Sequence, residues 1–210
     1  MAKLYLCEKP SQARDIARVL GADKRQDGFF ESGDALVTWC FGHLLEMASP
    51  DDYDPGLKIW KLETLPIIPR KWVLKVRKEA KKQYKIIVGL FKRVDEIVVS
   101  TDADREGEAI AREIMDMGQW TGNITRLWLS ALDDKSIQKA LDNLLPGEQT
   151  VNLYKAASAR SKADWLVGMT LSRLYTLSAR CDIRVWRMNT IQMNDFMAGS
   201  AVGEILLLCE

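Results

Sequence analysis

Short apolar runs alternate with stripes of helical spacing along the first two thirds of the chain. "KLYLC" (3 to 7) is an apolar run stopped by Glu8, Lys9 and Pro10, which predicts a buried strand. Ser11 is placed to cap a helix through about Leu20, with Ile16 and Leu20 at helical spacing. "ALVTWCF" (35 to 41) predicts a second strand, ended by Gly42. The stretch from Pro50 to Pro69 carries four of the six prolines and reads as an extended, irregular connection. From Glu79 to Val94, Tyr84, Ile87, Val88, Phe91 and Val94 form a helical stripe with lysines opposite. "EIVVST" is the next strand, and Glu106 to Met117 a helix with Ile110, Ile114 and Met117 on one side. "ITRLWL" (124 to 129) predicts a further strand, and Asp133 to Leu145 an amphipathic helix ended by Pro146-Gly147. A long helix from about Thr150 to Leu177 follows. This order predicts an α/β fold, a mainly parallel sheet flanked by helices, with a soft boundary after Gly147. The long basic helix then begins a second domain.

The totals change this picture little. At 210 residues, 47% hydrophobic and 28% charged, the chain has the composition of a well-cored globular protein. Cys7, Cys40, Cys181 and Cys209 lack zinc spacing, and Cys7 and Cys40 read as small buried hydrophobes. No apolar stretch reaches the length of a signal peptide core or a membrane span, so the expected compartment is the cytoplasm.

Net charge is only +1, but its distribution is uneven. Ten lysines and arginines face one acid between Pro66 and Arg93, eight acids face two arginines between Asp95 and Asp116, and seven basic residues face two acids from Val151 to Arg187. Basic runs flanking an acidic cluster suit a polyanion whose phosphates meet a metal at the centre. Wet helix faces would give the same runs.

The acidic cluster is "STDADREGEAI", where Asp102 and Asp104 leave a strand and Glu106 and Glu108 open a helix. Alternate residues of an extended chain share a side, and ligand sites in open α/β sheets collect at the carboxyl ends of strands. Glu8 also follows a strand and lies at the same edge if the two strands are parallel neighbours. Carboxylates so gathered repel one another unless neutralised, and Mg2+ is a hard cation suited to their oxygens. The competing reading is an acidic helix cap. Lys9 is placed either to meet a phosphoryl oxygen or as one more surface lysine. His43, the sole histidine, stands either near phosphate or as a structural group. Trp60 and Trp72 belong either to packing or to base stacking.

"LCEKPSQARDIARVLG", "VTWCFGHLLE", "STDADREGEAIAREI" and "SARSKADWLVGMTLSRLYT" together resemble the N-terminal part of type IA DNA topoisomerases, of the bacterial topoisomerase III branch, from about Lys3 to Leu177. The resemblance implies a Toprim domain over 1–147 and the start of a helical DNA-groove domain over 148–177. It implies metal acids at Glu8, Asp102 and Asp104 with Glu106 accessory, a phosphate-contacting Lys9, and catalytic roles for Glu8, Lys9 and Glu106. DNA contacts fall on Arg105, Arg160, Asp164 and Arg173, with Trp165 packing behind. The implied reaction needs Mg2+ and no nucleotide: a tyrosine cuts one strand of single-stranded DNA, keeps the 5′ phosphate as an ester, and reseals it after strand passage. No GxxxxGK[ST] loop is present, in keeping with that. None of Tyr5, Tyr53, Tyr84, Tyr154 and Tyr175 stands in the family's nucleophile motif, and each is expected to be explained by packing. The 178–210 tail departs from the family pattern, as a change of reading frame near Ser178 would make it. The chain alone is therefore expected to bind metal and DNA without relaxing supercoils, with a partner chain supplying the missing domains. Two other expectations stand beside it: a Toprim nuclease or primase-like protein, and a non-catalytic DNA-binding fragment.

Overall fold

The computed structural model describes residues 2–178, so the 178–210 tail, Cys181 and Cys209 lie outside the described residues except for Ser178 itself. In chain order the strands and helices are β1 (Lys3–Cys7), α1 (Pro10–Val19), β2 (Lys24–Gln26), β3 (Phe29–Ser32), β4 (Ala35–Trp39), β5 (Leu45–Met47), α2 (Pro50–Tyr53), β6 (Leu74–Val76), α3 (Lys81–Phe91), β7 (Glu96–Ser100), α4 (Arg105–Met117), β8 (Asn123–Arg126), α5 (Asp134–Leu141), β9 (Leu145–Pro146) and α6 (Val151–Ser178). Seven strands form one sheet in the order β2-β3-β4-β1-β7-β8-β9, and β5 pairs with β6 in a second.

The four central strands are parallel: β1 pairs with β4 and with β7, and β7 with β8. Their near-continuous apolar runs follow from burial on both faces. Side chains alternate across the sheet, so Leu4, Leu6, Leu36, Ile97 and Val99 enter one core cluster, while Tyr5, Cys7, Val37 and Val98 enter the other. Ile87, Leu90 and Phe91 of α3 and Ile110, Ile114 and Met115 of α4 complete the first. Ala13, Ile16 and Ala17 of α1 and Ile137 of α5 complete the second. The parallel α/β core predicted from the alternation is therefore present.

Its edges differ from the expectation. β2 and β3 form an antiparallel hairpin, and β3 runs antiparallel to β4. Lys24–Gln26 carries no apolar residue, so periodicity gave no signal there. The Asp27-Gly28 pair between the strands, with Gly28 at φ +84°, is nevertheless a hairpin turn. The expected helix to Leu145 ends at Leu141, and Leu145–Pro146 pairs antiparallel with Thr125 and Arg126. Pro146 lacks an N–H to give, which an edge strand tolerates. α1 starts at Pro10 in the first helical position, with Lys9 as the cap residue in place of Ser11.

Compactness divides the described residues into two units, 2–46 with Leu74–Ser158, and Met47–Val73 with 159–178. The first contains the seven-stranded sheet. In the second, the Pro-rich stretch holds the four-residue α2 and two 3-10 turns, Pro55–Lys58 and Leu62–Thr64. Trp165 is its anchor: Nε1 donates to the Ala48 carbonyl at 3.1 Å, and the ring meets Tyr53 and Trp72 edge-on with centroids 5.9 and 5.5 Å away. The sequence boundary after Gly147 falls just ahead of α6, whereas compactness changes within that helix at Ser158.

Candidate functional site

The chain leaves β1 toward β4 on one side and later returns through α3 to β7 on the other, so the carboxyl end of β1 is a topological switch point. Cys7 is level with Ser100 across the β1–β7 pair. Glu8 and Asp102 thus emerge side by side, and the Asp102 backbone N–H donates to Glu8 Oε2 at 3.3 Å. Pro10 starts α1 immediately, leaving Lys9 at the turn with no side-chain capping bond, and its ammonium reaches outward instead. Lys9 Nζ lies 3.0 Å from Asp102 Oδ2 and 3.6 Å from Glu8 Oε1. Its pKa is raised, through the bond to Asp102 first and the charge of Glu8 next.

Gln12 had no place in the sequence reading. Almost fully buried on α1, it accepts the Glu8 backbone N–H at 2.9 Å through Oε1 and points Nε2 at Asp102 Oδ1 at 3.4 Å. Both oxygens of Asp102 and both of Glu8 therefore face internal donors. Asp104 caps α4, its Oδ1 accepting from Gly107 N–H at 2.8 Å, which is the helix-cap role weighed from the sequence. Glu106, exposed in the first turn, has Oε2 3.2 Å from His43 Nε2, and His43 Nδ1 lies 3.7 Å from Glu113 Oε2. Burial pulls the imidazole pKa down, but the Glu113 and Glu106 carboxylates outweigh it and hold the group above its ordinary value.

Glu108 belongs to the acidic run in sequence and to the core in space. It is fully buried, with Arg112 Nε on Oε2 at 2.8 Å and Arg126 Nε 3.3 Å from Oε1. Arg126, also fully buried, gives Nη1 to Thr101 Oγ1 at 2.9 Å and Nη2 to the carbonyls of Thr101 and Asp102 at 3.0 and 2.6 Å. Desolvation lowers its pKa against the pull of Glu108, Asp104 and Asp102. Gly107 fits against the same loop: a Cβ there would collide with the Asp102 carbonyl oxygen and stand 3.0 Å from its C and N atoms. The acidic loop is thus pinned from beneath by a buried cation and admits no side chain at its helix contact. The Glu108–Arg112 spacing was readable as a helical pair. Arg126 was not, because strand alternation does not say what a buried arginine meets.

Arg105 is exposed at the first residue of α4. Arg160 Nε lies 3.7 Å from Asp164 Oδ2 one turn on, and Arg173 is buried with its guanidinium 5.2 Å from the Trp60 ring centre. Tyr5 is buried, Tyr53 packs on Trp165, Tyr84 lies against the core, and Tyr154 donates to Asp116 Oδ2 at 2.7 Å. Tyr175 is 54% exposed, so packing does not account for it. Cys7 and Cys40 are buried and free, and burial raises both thiol pKa values.

The donor chemistry, hard carboxylate oxygens at a strand edge, fits a hard divalent cation. The side chains as they stand give that edge a different positive charge, the Lys9 ammonium. Among the described residues no group of three or more His, Cys, Asp or Glu side chains is placed to hold a metal ion. Also among the described residues, no helix is long and apolar enough to cross a membrane.

The Toprim domain family matches residues 3–132. DNA topoisomerase 3 of Bacillus anthracis is 44% identical over 193 residues, covering 90% of this chain and 26% of the relative. DNA topoisomerase 3 of Staphylococcus aureus (strain USA300) is 43% identical over 192 residues, covering 90% and 27%. The chain spans about a quarter of the length of these curated relatives, and the matched share exceeds the Lys3-to-Leu177 stretch on which the resemblance rested. The solved structure of full-length topoisomerase I from Thermotoga maritima shares the fold, with a TM-score of 0.58, 24% identity, and coverage of 82% of this chain and 26% of that one. With the switch-point edge, its acids and the match over most of the sheet in hand, the chain belongs to the Toprim domain family.

Proposed function

We propose that the carboxyl edge of the sheet binds Mg2+ and a DNA phosphate, and that the chain is the metal- and DNA-binding part of a type IA DNA topoisomerase of the topoisomerase 3 kind. The observation that carries this reading is the meeting of Glu8 and Asp102, 94 residues apart in sequence and one hydrogen bond apart in space. Glu8 and Asp102 would hold the ion, with Asp104 and Glu106 as further acids. When bound, Mg2+ supplies charge stabilisation at a phosphoryl oxygen. Every other part is played by the chain itself. Arg126 fixes the Asp102 peptide from below, Gln12 holds the Glu8 backbone N–H and faces one Asp102 carboxylate oxygen, and Lys9 and Arg105 offer cations to the phosphates. Arg160, Asp164 and Arg173, in the second unit, would contact the DNA, and the strand bound would be single.

In the whole protein the reaction would be ATP-independent breakage, passage and rejoining of a strand through a tyrosine ester. Residues 1–147 would then be the Toprim domain and 148–177 the beginning of the helical one, in a cytoplasmic enzyme. The test is a Mg2+ titration of thermal stability on the wild-type chain and on Asp102→Asn. Mg2+ raises the wild-type melting temperature and leaves the variant's nearly unmoved; equal responses would overturn the reading.

A second reading is favoured by one observation, that each of the four acids already has an internal partner. It is a non-catalytic DNA-binding role. It predicts binding to oligothymidylate that falls steeply with salt and is indifferent to Mg2+ and to Asp102→Ala.

A further inference from the structure

Among the described residues, Lys9 sets its charge against both acids of the proposed metal site, at 3.0 Å from Asp102 and 3.6 Å from Glu8. It is also solvent-facing. Its side chain is 55% exposed, against 13% for Glu8, and its residue lies at a helix start without a capping duty. Glu8 and Asp102 are by contrast fixed from several sides. Gln12 holds the Glu8 backbone and faces an Asp102 oxygen, the Asp102 N–H holds the other oxygen of Glu8, and Arg126 grips the Asp102 carbonyl. The peptides that carry the acids are held by these bonds, and the cation between the acids sits on a flexible four-carbon stem.

From this arrangement we infer that Lys9 is a built-in counter-ion which competes with the divalent cation, so that metal and phosphate enter the site together. A cation arriving alone must displace an ammonium already paired to both carboxylates. A phosphate arriving with it offers that ammonium a new anion, which lowers the cost of leaving. Each ligand therefore raises the affinity of the other by the same factor, as linkage requires. The order has a functional sense: the edge takes up its ion where a nucleic-acid phosphate is present. This inference rests on the metal reading above and goes beyond it, since a metal site with an idle Lys9 would bind its ion equally well with or without phosphate displacement of the lysine.

The experiment measures Mn2+ binding to the full chain by the electron paramagnetic resonance of the free ion, with and without saturating oligothymidylate. It uses the wild type, Lys9→Met, Lys9→Arg and Asp102→Asn. Lys9→Met should bind Mn2+ about tenfold more tightly than wild type in the absence of DNA, within the usual range of such couplings. Lys9→Arg, which keeps the charge, should not. Oligothymidylate should tighten Mn2+ binding severalfold in the wild type and clearly less in Lys9→Met. If Asp102→Asn abolishes Mn2+ binding while Lys9→Met leaves it unchanged or weaker, the counter-ion inference is wrong and the metal reading survives. If neither the wild type nor Lys9→Met binds Mn2+, both fall.

Discussion

Arg126 and Glu108 lie against each other with both side chains fully buried, Arg126 Nε 3.3 Å from Glu108 Oε1, directly beneath the loop that carries Asp102. The contact is an ion pair and not a hydrogen bond, since neither atom has a hydrogen-bond partner. Its Nη groups are spent on Thr101 and Asp102, so the arginine is a strut between helix α4 and the acidic loop. Removing one partner of such a pair leaves a buried charge short of compensation. Arg126→Met should destabilise the chain by about 3 kcal/mol or more, measured by urea unfolding. Glu108→Gln/Arg126→Met should recover part of that loss, because the two sites are coupled. A loss below about 1 kcal/mol, the range of exposed pairs, would mean that the strut is idle.

Gly107 is required by the same loop. Gly107→Ala places a Cβ against the Asp102 carbonyl and should cost about 1–3 kcal/mol, as overpacking does. Its Mg2+-induced rise in melting temperature should shrink as well, because the displaced peptide is the one that orients Asp102. A variant as stable and as Mg2+-responsive as wild type would show that the loop has room.

Trp165 anchors the second unit. Trp165→Ala removes two edge-on ring contacts and should cost about 3–5 kcal/mol. Trp165→Phe keeps much of the packing but leaves the Ala48 carbonyl unpaired, a loss of about 1–3 kcal/mol. Chemical unfolding of the two variants should separate these sizes; equal losses would assign the whole effect to the hydrogen bond.

Glu31 gives a pH dependence. Arg93 Nη2 and Lys24 Nζ approach its oxygens at 2.9 and 3.0 Å, and these bonds hold its pKa below the ordinary carboxylate value. A depressed folded-state pKa stabilises the fold above the ordinary value and loses that contribution as pH falls through the folded one. Glu31→Gln should therefore melt below wild type at neutral pH and level with it in strong acid. A difference that persists unchanged in acid would assign the effect to packing.

How much of this the sequence disclosed depends on which forces act locally. β1, β4, β7 and the helices between them were legible because each is a run or stripe complete within itself. The meeting of Glu8 with Asp102 was legible as a condition, since both follow strands and share an edge if those strands are parallel neighbours, as β1 and β7 are. The hairpin of β2 and β3 was missed because an edge strand such as Lys24–Gln26 needs no apolar face, although Asp27-Gly28 marked its turn. Gln12 and Arg126 were invisible for a different reason. Their roles are long-range hydrogen bonds, and nothing in their neighbours along the chain says which carbonyl or carboxylate they will meet. Glu108 shows the opposite error, an acid counted with the exposed cluster that helix phase turns inward.

The most direct measurement is a double-mutant cycle on Mg2+ binding with Glu8→Gln, Asp102→Asn and the pair, read by titration calorimetry. If the two carboxylates hold one ion, each single change weakens binding by ~10-fold or more and the double adds little beyond the worse single, a large coupling between neighbours. Strictly additive losses, or undiminished Mg2+ binding in the double variant, would contradict a shared ion at this edge.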